Sequence, residues 1–243
     1  MMSLTRNNYV TGIIIKKIKY RDYHEILHVL TEHGCIESFF YENVYKNKKK
    51  LKVNIPYKVL INYFPTGGMN KIIALEIENM YNTIIYDVMK NAYATNIIEY
   101  IAYSNDTYLN IYKLLGKCLD YMNRNISERL VTIYCLINLL KVHGFNFKYQ
   151  KTDLEYVAYS FRYSIFVDKN HLDQGCYTIN NSLVKLVYYF SIKPINFLET
   201  LDISDRELVS LFEFCNLLFK EYVGIETKSY PKIIELEKLL NSI

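Results

Sequence analysis

Val10-Thr11-Gly12-Ile13-Ile14-Ile15-Lys16-Lys17-Ile18-Lys19-Tyr20 opens the stretch that decides the fold, residues 9–52, and Lys46-Asn47-Lys48-Lys49-Lys50-Leu51-Lys52 closes it. Between them, β-branched and aromatic residues are dense in Val10–Ile18, Glu25–Thr31 and Cys35–Val44, and Glu32-His33-Gly34 separates the second run from the third. Such runs, bounded by turn residues, read as strands, and Gly34 can take a positive φ at no steric cost. Beyond Pro56 two more runs follow, Val59–Phe64 and Met69–Glu78, joined by the turn Thr66-Gly67-Gly68. Five short strands in the first 80 residues predict a small barrel of the OB type, whose loops commonly bind nucleic acid. The lysine run sits on one edge of it.

From Asn82 the apolar period becomes helical, with Ile84, Ile85, Val88, Met89, Ala92, Tyr93 and Asn96 on one stripe that continues to Tyr103. Asp106 is the expected cap of a second helix with Leu109, Tyr112, Leu115, Leu119 and Met122 inward. Ser127 caps a third, with Leu130, Ile133, Tyr134, Ile137 and Leu140 on one face and Gly144 as its stop. These three helices are expected to form one bundle. Residues 145–181 are irregular, with a short hairpin expected within Tyr156–Val167. A helix then opens at Asn181, and Ser204 with Glu207 forms a capping box for a long helix ending at Gly224. Pro231 stands in the first turn of a last short helix. The predicted class is α+β: an OB-fold barrel over 1–80 that binds nucleic acid, then a helical domain over 81–243.

The net charge of +4 is unevenly placed. Residues 1–80 hold 12 lysines and arginines against 7 acids, the remainder 17 against 18, so the excess positive charge belongs to the barrel. That is the distribution of a polyanion-facing domain joined to a near-neutral body. The five cysteines are far apart and form no C-x-x-C pair, as in a reducing compartment. Met1 to Asn8 is polar and no 18-residue apolar run occurs, so a cytoplasmic protein with no membrane partner is expected. Twenty-five tyrosines with no tryptophan read as the imprint of an AT-rich genome rather than as a stacking signal.

His24-Glu25-Ile26-Leu27-His28 is a literal H-E-x-x-H, which binds zinc only on a helix. Here it lies in a strand-like run, where four steps of about 3.3 Å would hold the imidazoles roughly 13 Å apart. No Walker loop and no G-x-S-x-G elbow occurs. The acid pairs Asp153 with Glu155 and Asp202 with Asp205 read as caps or solvated charges. Neither catalysis nor a cofactor is expected. What remains is the basic edge. Lys46, Lys48, Lys49, Lys50 and Lys52, with no acid among them, can neutralise several phosphates, and Lys16, Lys17, Lys19 and Arg21 form a second cluster. Phe39, Phe40, Tyr41, Tyr45 and Tyr20 lie beside these cations as candidates for stacking bases or filling the core. An alternative reading is an interaction scaffold whose basic loop holds an acidic protein.

Several segments, in order along almost the whole chain, resemble the RecO family of bacterial recombination mediators. They are Gly12-Ile13-Ile14-Ile15-Lys16, Ile26 to Glu32 with Gly34-Cys35-Ile36, the lysine loop, Ile55 to Leu60, Tyr93 to Glu99, Leu139 to Phe145, and Tyr222-Val223-Gly224 with Lys228-Ser229. The resemblance implies an N-terminal OB-fold, a helical body and no turnover. It also implies binding of single- and double-stranded DNA, annealing of complementary strands, and partnership with RecR and with the C-terminal tail of single-stranded DNA-binding protein. Through these the recombinase RecA is loaded in the RecF recombination pathway of DNA repair, at the nucleoid. The DNA-facing role falls on the five loop lysines, with Lys16, Lys17, Lys19 and Arg21 as weaker candidates. Two departures stand out. The four-cysteine zinc module of many members would begin near Thr152 and Glu155, and here only Cys176 remains of its second pair, so no metal is expected. The glycine that usually precedes the basic loop is missing from Tyr41-Glu42-Asn43-Val44.

Overall fold

A computed structural model describes residues 8–103, 109–124, 126–149 and 155–240. The chain divides into two compact units, 1–124 and 125–243. In the first, five strands, β1 (Asn8–Tyr20), β2 (His24–Thr31), β3 (Ile36–Tyr41), β4 (Lys58–Phe64) and β5 (Asn70–Asn79), close into a barrel of order β1-β2-β3-β5-β4. Every pairing is antiparallel except β3 with β5. This is the OB-like barrel that the strand pattern predicts. Gly34 has φ 80° in the β2–β3 turn.

The barrel core is built from alternate residues of each strand, among them Val10, Ile14, Leu27, Val29, Phe39 and Ile61. Val44 and Val53, from the connection between β3 and β4, complete it. Gly12 lies where β1 meets β2 closely: a Cβ there would stand 2.3 Å from Val29 Cγ1 and 2.9 Å from the Leu30 carbonyl oxygen. One irregularity governs the second half of β1. Ile14 pairs with Val29 but Lys16 pairs with His28, so β1 carries one extra residue, a β-bulge at Ile15. A strand alternates with period two, so one inserted residue reverses the faces of all that follow. Lys17 and Lys19 therefore lie on the core side, opposite Leu27 and Glu25, while Ile18 and Tyr20 face outward at 38% and 40% exposure.

Where the sequence pattern reads one helix from Asn82 to Tyr103, the structure has two, α1 (Asn82–Tyr86) and α2 (Val88–Tyr103). Asp87 breaks the run because its carboxylate accepts from the amides of Met89 (2.9 Å) and Lys90 (3.0 Å), a cap inside the periodic stretch. In α3 (Leu109–Asn123), Leu115, Leu119 and Met122 are buried as expected, but Leu109 is half exposed because it opens the helix. Asp106 lies outside the described residues. Asn123 closes α3 onto α1, accepting from the Thr83 amide (3.1 Å) and hydroxyl (2.8 Å) through Oδ1.

In the second unit α4 (Glu128–Val142) is apolar on all sides and is buried on all sides, as such a helix must be. It packs on α5 (Asn181–Ile192) and α6 (Asp205–Leu218), which corrects the expectation that it bundles with α2 and α3. Three side chains at one-turn spacing on α4 take up carbonyls at the end of α5. Asn138 donates to Phe190 O (3.0 Å), Lys141 to Ser191 O and Tyr134 to Lys193 O (3.1 Å). These are groups that a helix end leaves without partners. The capping box at Ser204 and Glu207 forms, and a π-helical turn, Phe219–Val223, runs to Gly224 at φ 71°. Arg129 of α4 holds Asp205 (3.1 Å) and Glu237 (2.8 Å), the latter on α7 (Ser229–Leu240). The irregular stretch contains the expected hairpin, β6 (Ala158–Ser160) with β7 (Ile165–Val167), and β8 (Tyr177–Thr178) pairs with β6. Tyr222 pins its turn by donating to Phe161 O at 2.7 Å and accepting from Ser164 Oγ at 3.0 Å. No helix among the described residues is long and apolar enough to cross a membrane.

Candidate nucleic-acid interface

The basic loop is held at both of its ends by one buried carboxylate. Glu25, 3% exposed on the core side of β2, accepts from the Tyr45 hydroxyl as the chain enters the loop. The Lys17 ammonium stands 3.3 Å from the same carboxylate oxygen and donates to the Val53 carbonyl as the chain leaves. The bond to Glu25 pushes the Tyr45 phenol up to about 12, since losing its proton would set two negative charges together. Between these anchors the backbone turns on itself. The Asn47 amide donates to Asn43 O (2.9 Å), that of Lys50 to Asn47 O (3.0 Å) and that of Lys49 to Asn47 Oδ1 (3.0 Å). Asn43 has φ 53°, a left-handed conformation that asparagine tolerates better than most residues, and its amide donates to His24 Nδ1 at 3.0 Å.

The β1–β2 turn is tied to this loop by the Tyr45 amide, which donates to Tyr23 O at 3.3 Å. Two clusters separate in sequence are thereby adjacent. The Lys46 ammonium lies 5.8 Å from the Tyr23 ring, Lys19 lies 6.0 Å from the Tyr45 ring and the Arg21 guanidinium 5.3 Å from the Tyr20 ring. Lys48, Lys49 and Lys52 are exposed, and Lys16 is exposed on the outer face opposite His28. Lys50 is turned back, donating to Glu42 O at 2.6 Å with its ammonium 5.0 Å from the Tyr41 ring, and burial lowers its pKa. The Lys17 ammonium is engaged with Glu25 and Val53, so of the nine cations it is the one most committed to the protein itself. Glu42, the acid beside the loop, is occupied by Lys71 at 2.6 Å.

Of the aromatic candidates, Phe39 and Tyr41 belong to the core, while Tyr20 and Tyr45 are exposed and Phe40 is half buried. Tyr23, 48% exposed, and His24 also belong to this surface. In the sequence His24 stands out only as part of the H-E-x-x-H motif, which the structure places on β2. His28 bonds Ser38 Oγ at 2.9 Å through Nδ1 rather than sharing a ligand site with His24, and Glu25 points to the opposite side. Among the described residues no group of three or more His, Cys, Asp or Glu could hold a metal ion.

The family model for the C-terminal part of recombination protein O matches residues 86–231. The chain belongs to the RecO family. It is similar to the "DNA repair protein RecO" of Staphylococcus saprophyticus, 28% identical with 95% of this chain and 97% of the relative covered. The proteins of the same name from Staphylococcus haemolyticus and Macrococcus caseolyticus are 28% and 25% identical, with 94% and 95% of this chain and 97% of each relative covered. Within this RecO chain, the thiol of Cys176 donates to Asp173 Oδ1 at 3.0 Å, and Asp173 also accepts from Ser160. These contacts give Cys176 a place in a local hydrogen-bonded turn. Thr152 and Asp153 lie outside the described residues.

Proposed function

We propose that this RecO chain is a non-enzymatic DNA-repair mediator whose barrel, within residues 1–80, binds single- and double-stranded DNA through its basic end. Phosphates of two strands are held by the loop lysines, their mutual repulsion is screened, and complementary strands anneal. The observation that carries the reading is the acid-free lysine loop, anchored at Glu25 and joined by Lys19 and Arg21. Anchoring matters because a loop ordered before binding loses less entropy when phosphates dock on it. Helping to load the recombinase in the RecF pathway, with RecR and the tail of single-stranded DNA-binding protein as partners, completes the proposal. For that acidic, apolar-ended tail the second unit offers a cavity of about 580 Å³ whose lining includes Phe145, Phe147, Tyr156 and Phe166 with His143 and Lys148.

The test is fluorescence anisotropy of labelled oligonucleotides, across a salt series, with the wild type and a variant in which all five loop lysines are alanine. The wild type is expected to bind with a steep salt slope, and the variant to bind weakly with a slope shallower by about 3. Equal binding by the two proteins would move the DNA site off the loop and favour an acidic protein partner for it.

A further inference from the structure

Beyond the bulge at Ile15, β1 turns apolar and aromatic residues outward, on a barrel whose core would otherwise have taken them. Across the outer face, Ile18 pairs with Ile26 and Ile26 with Phe40, and Tyr20 stands opposite His24. The rings form one cluster: His24 lies 5.1 Å from Phe40 with planes inclined 35°, Tyr20 lies 6.0 Å from Phe40 edge-on and 6.5 Å from His24. Bulges often re-aim side chains beside functional sites. Resting on the nucleic-acid reading above, we infer that Tyr20, His24 and Phe40 form a stacking site for unpaired bases, so that this end of the barrel grips single strands by their bases as well as by their phosphates.

Charge complementarity selects the occupant. Arg21 lies over the Tyr20 ring and offers a second planar surface, Lys16 stands on the same outer face, and Lys46 sits over the Tyr23 ring in the adjoining turn. The turn's one acid, Asp22, is outnumbered, and Glu42 is neutralised by Lys71. Apolar rings ringed by cations suit a polyanion that also carries flat apolar faces. A duplex presents only its phosphates to such a surface, because its base faces are stacked on one another, whereas a single strand can present both. Sequence tolerance follows, since every base has a π-face.

The experiment compares a single strand with a duplex of equal length, using the full chain and the variants Tyr20→Leu and Tyr20→Phe. Tyr20 is well exposed near the end of its strand, so both variants are expected to fold, and their melting curves verify it. Tyr20→Leu should weaken single-strand binding by roughly five- to a hundredfold, the range for losing one base–aromatic stack. Its salt slope and its duplex affinity should stay unchanged, and Tyr20→Phe should restore binding. A 2-aminopurine in the single strand should be quenched by the wild type and less by Tyr20→Leu. Equal losses on single strand and duplex, or no loss on either, would overturn the stacking site while leaving the phosphate-binding reading intact. So would a Tyr20→Leu variant that changes oligomeric state but not single-strand affinity, which would assign the face to a second copy of the chain. A wild type that binds neither nucleic acid would refute the underlying reading itself.

Discussion

His28 shows how one side chain can make the barrel sensitive to acid. Its Nδ1 is engaged by Ser38 at 2.9 Å while its Nε2 is buried without a partner, and burial, then the nearby Lys16 charge, hold its pKa below the ordinary 6.5. With the folded-state pKa below the unfolded one, the unfolded chain binds more protons in the interval between them. The contribution to stability is therefore complete above about pH 6.5 and is lost as pH falls through the lowered value. Denaturant midpoints measured from pH 7.5 to 5 should fall for the wild type and fall less for His28→Gln. Gly12 is the second such position. Gly12→Ala would drive a methyl into Val29 and the Leu30 carbonyl, with an expected cost of about 1–3 kcal/mol, the range of overpacking. Gly67→Ala, with nothing within 4 Å of the added carbon, is the control and should be close to neutral. Gly12 was legible in the sequence as part of a strand, but its close approach to β2 depends on a register that no local pattern reveals.

At the scale of elements, the five strands, the capping box at Ser204 and the stops at Gly144 and Gly224 were all readable, because each rests on local chemistry. The break at Asp87 was not, since an acid within an apolar stripe looks like an ordinary surface residue until its carboxylate is seen on two amides. The role of Lys17 was hidden for a similar reason. Counting cations along β1 puts it with the DNA-facing cluster, whereas the bulge turns it to Glu25. Removing the ammonium would strand a buried carboxylate, a large penalty in a closed interior and a smaller one here because Lys17 keeps partial solvent access. Lys17→Met should cost about 2 kcal/mol in chemical denaturation, and Lys48→Met, on an exposed turn, less than about 0.5 kcal/mol. In the anisotropy assay the ranking should invert: Lys48→Met lowers the salt slope by about 0.7–0.9, as expected for one lost phosphate contact, while Lys17→Met leaves it unchanged.

At the scale of the whole molecule, the two compact units each have their own buried core, one in the barrel with α1–α3 and one around α4. Their unfolding need not coincide. Calorimetry should resolve two transitions, and Gly12→Ala should lower only one of them. A single merged transition that shifts as a body would show the units to be thermally coupled. The placement of charge could be read from composition, but the reversal at Ile15 could not, because Gly12 to Ile15 are all buried and the change of phase falls at the end of that run. That phase has a genetic consequence. In a substitution scan of β1, residue 10 and the buried run 12–15 should be intolerant, and beyond the bulge residue 17 should be intolerant rather than 18 or 20. Loss of the single codon for Ile15 should do more harm than any substitution at that codon: with the strand back in step, Lys17 would turn out to solvent, Ile18 and Tyr20 would turn inward, and Glu25 would be left without its cation.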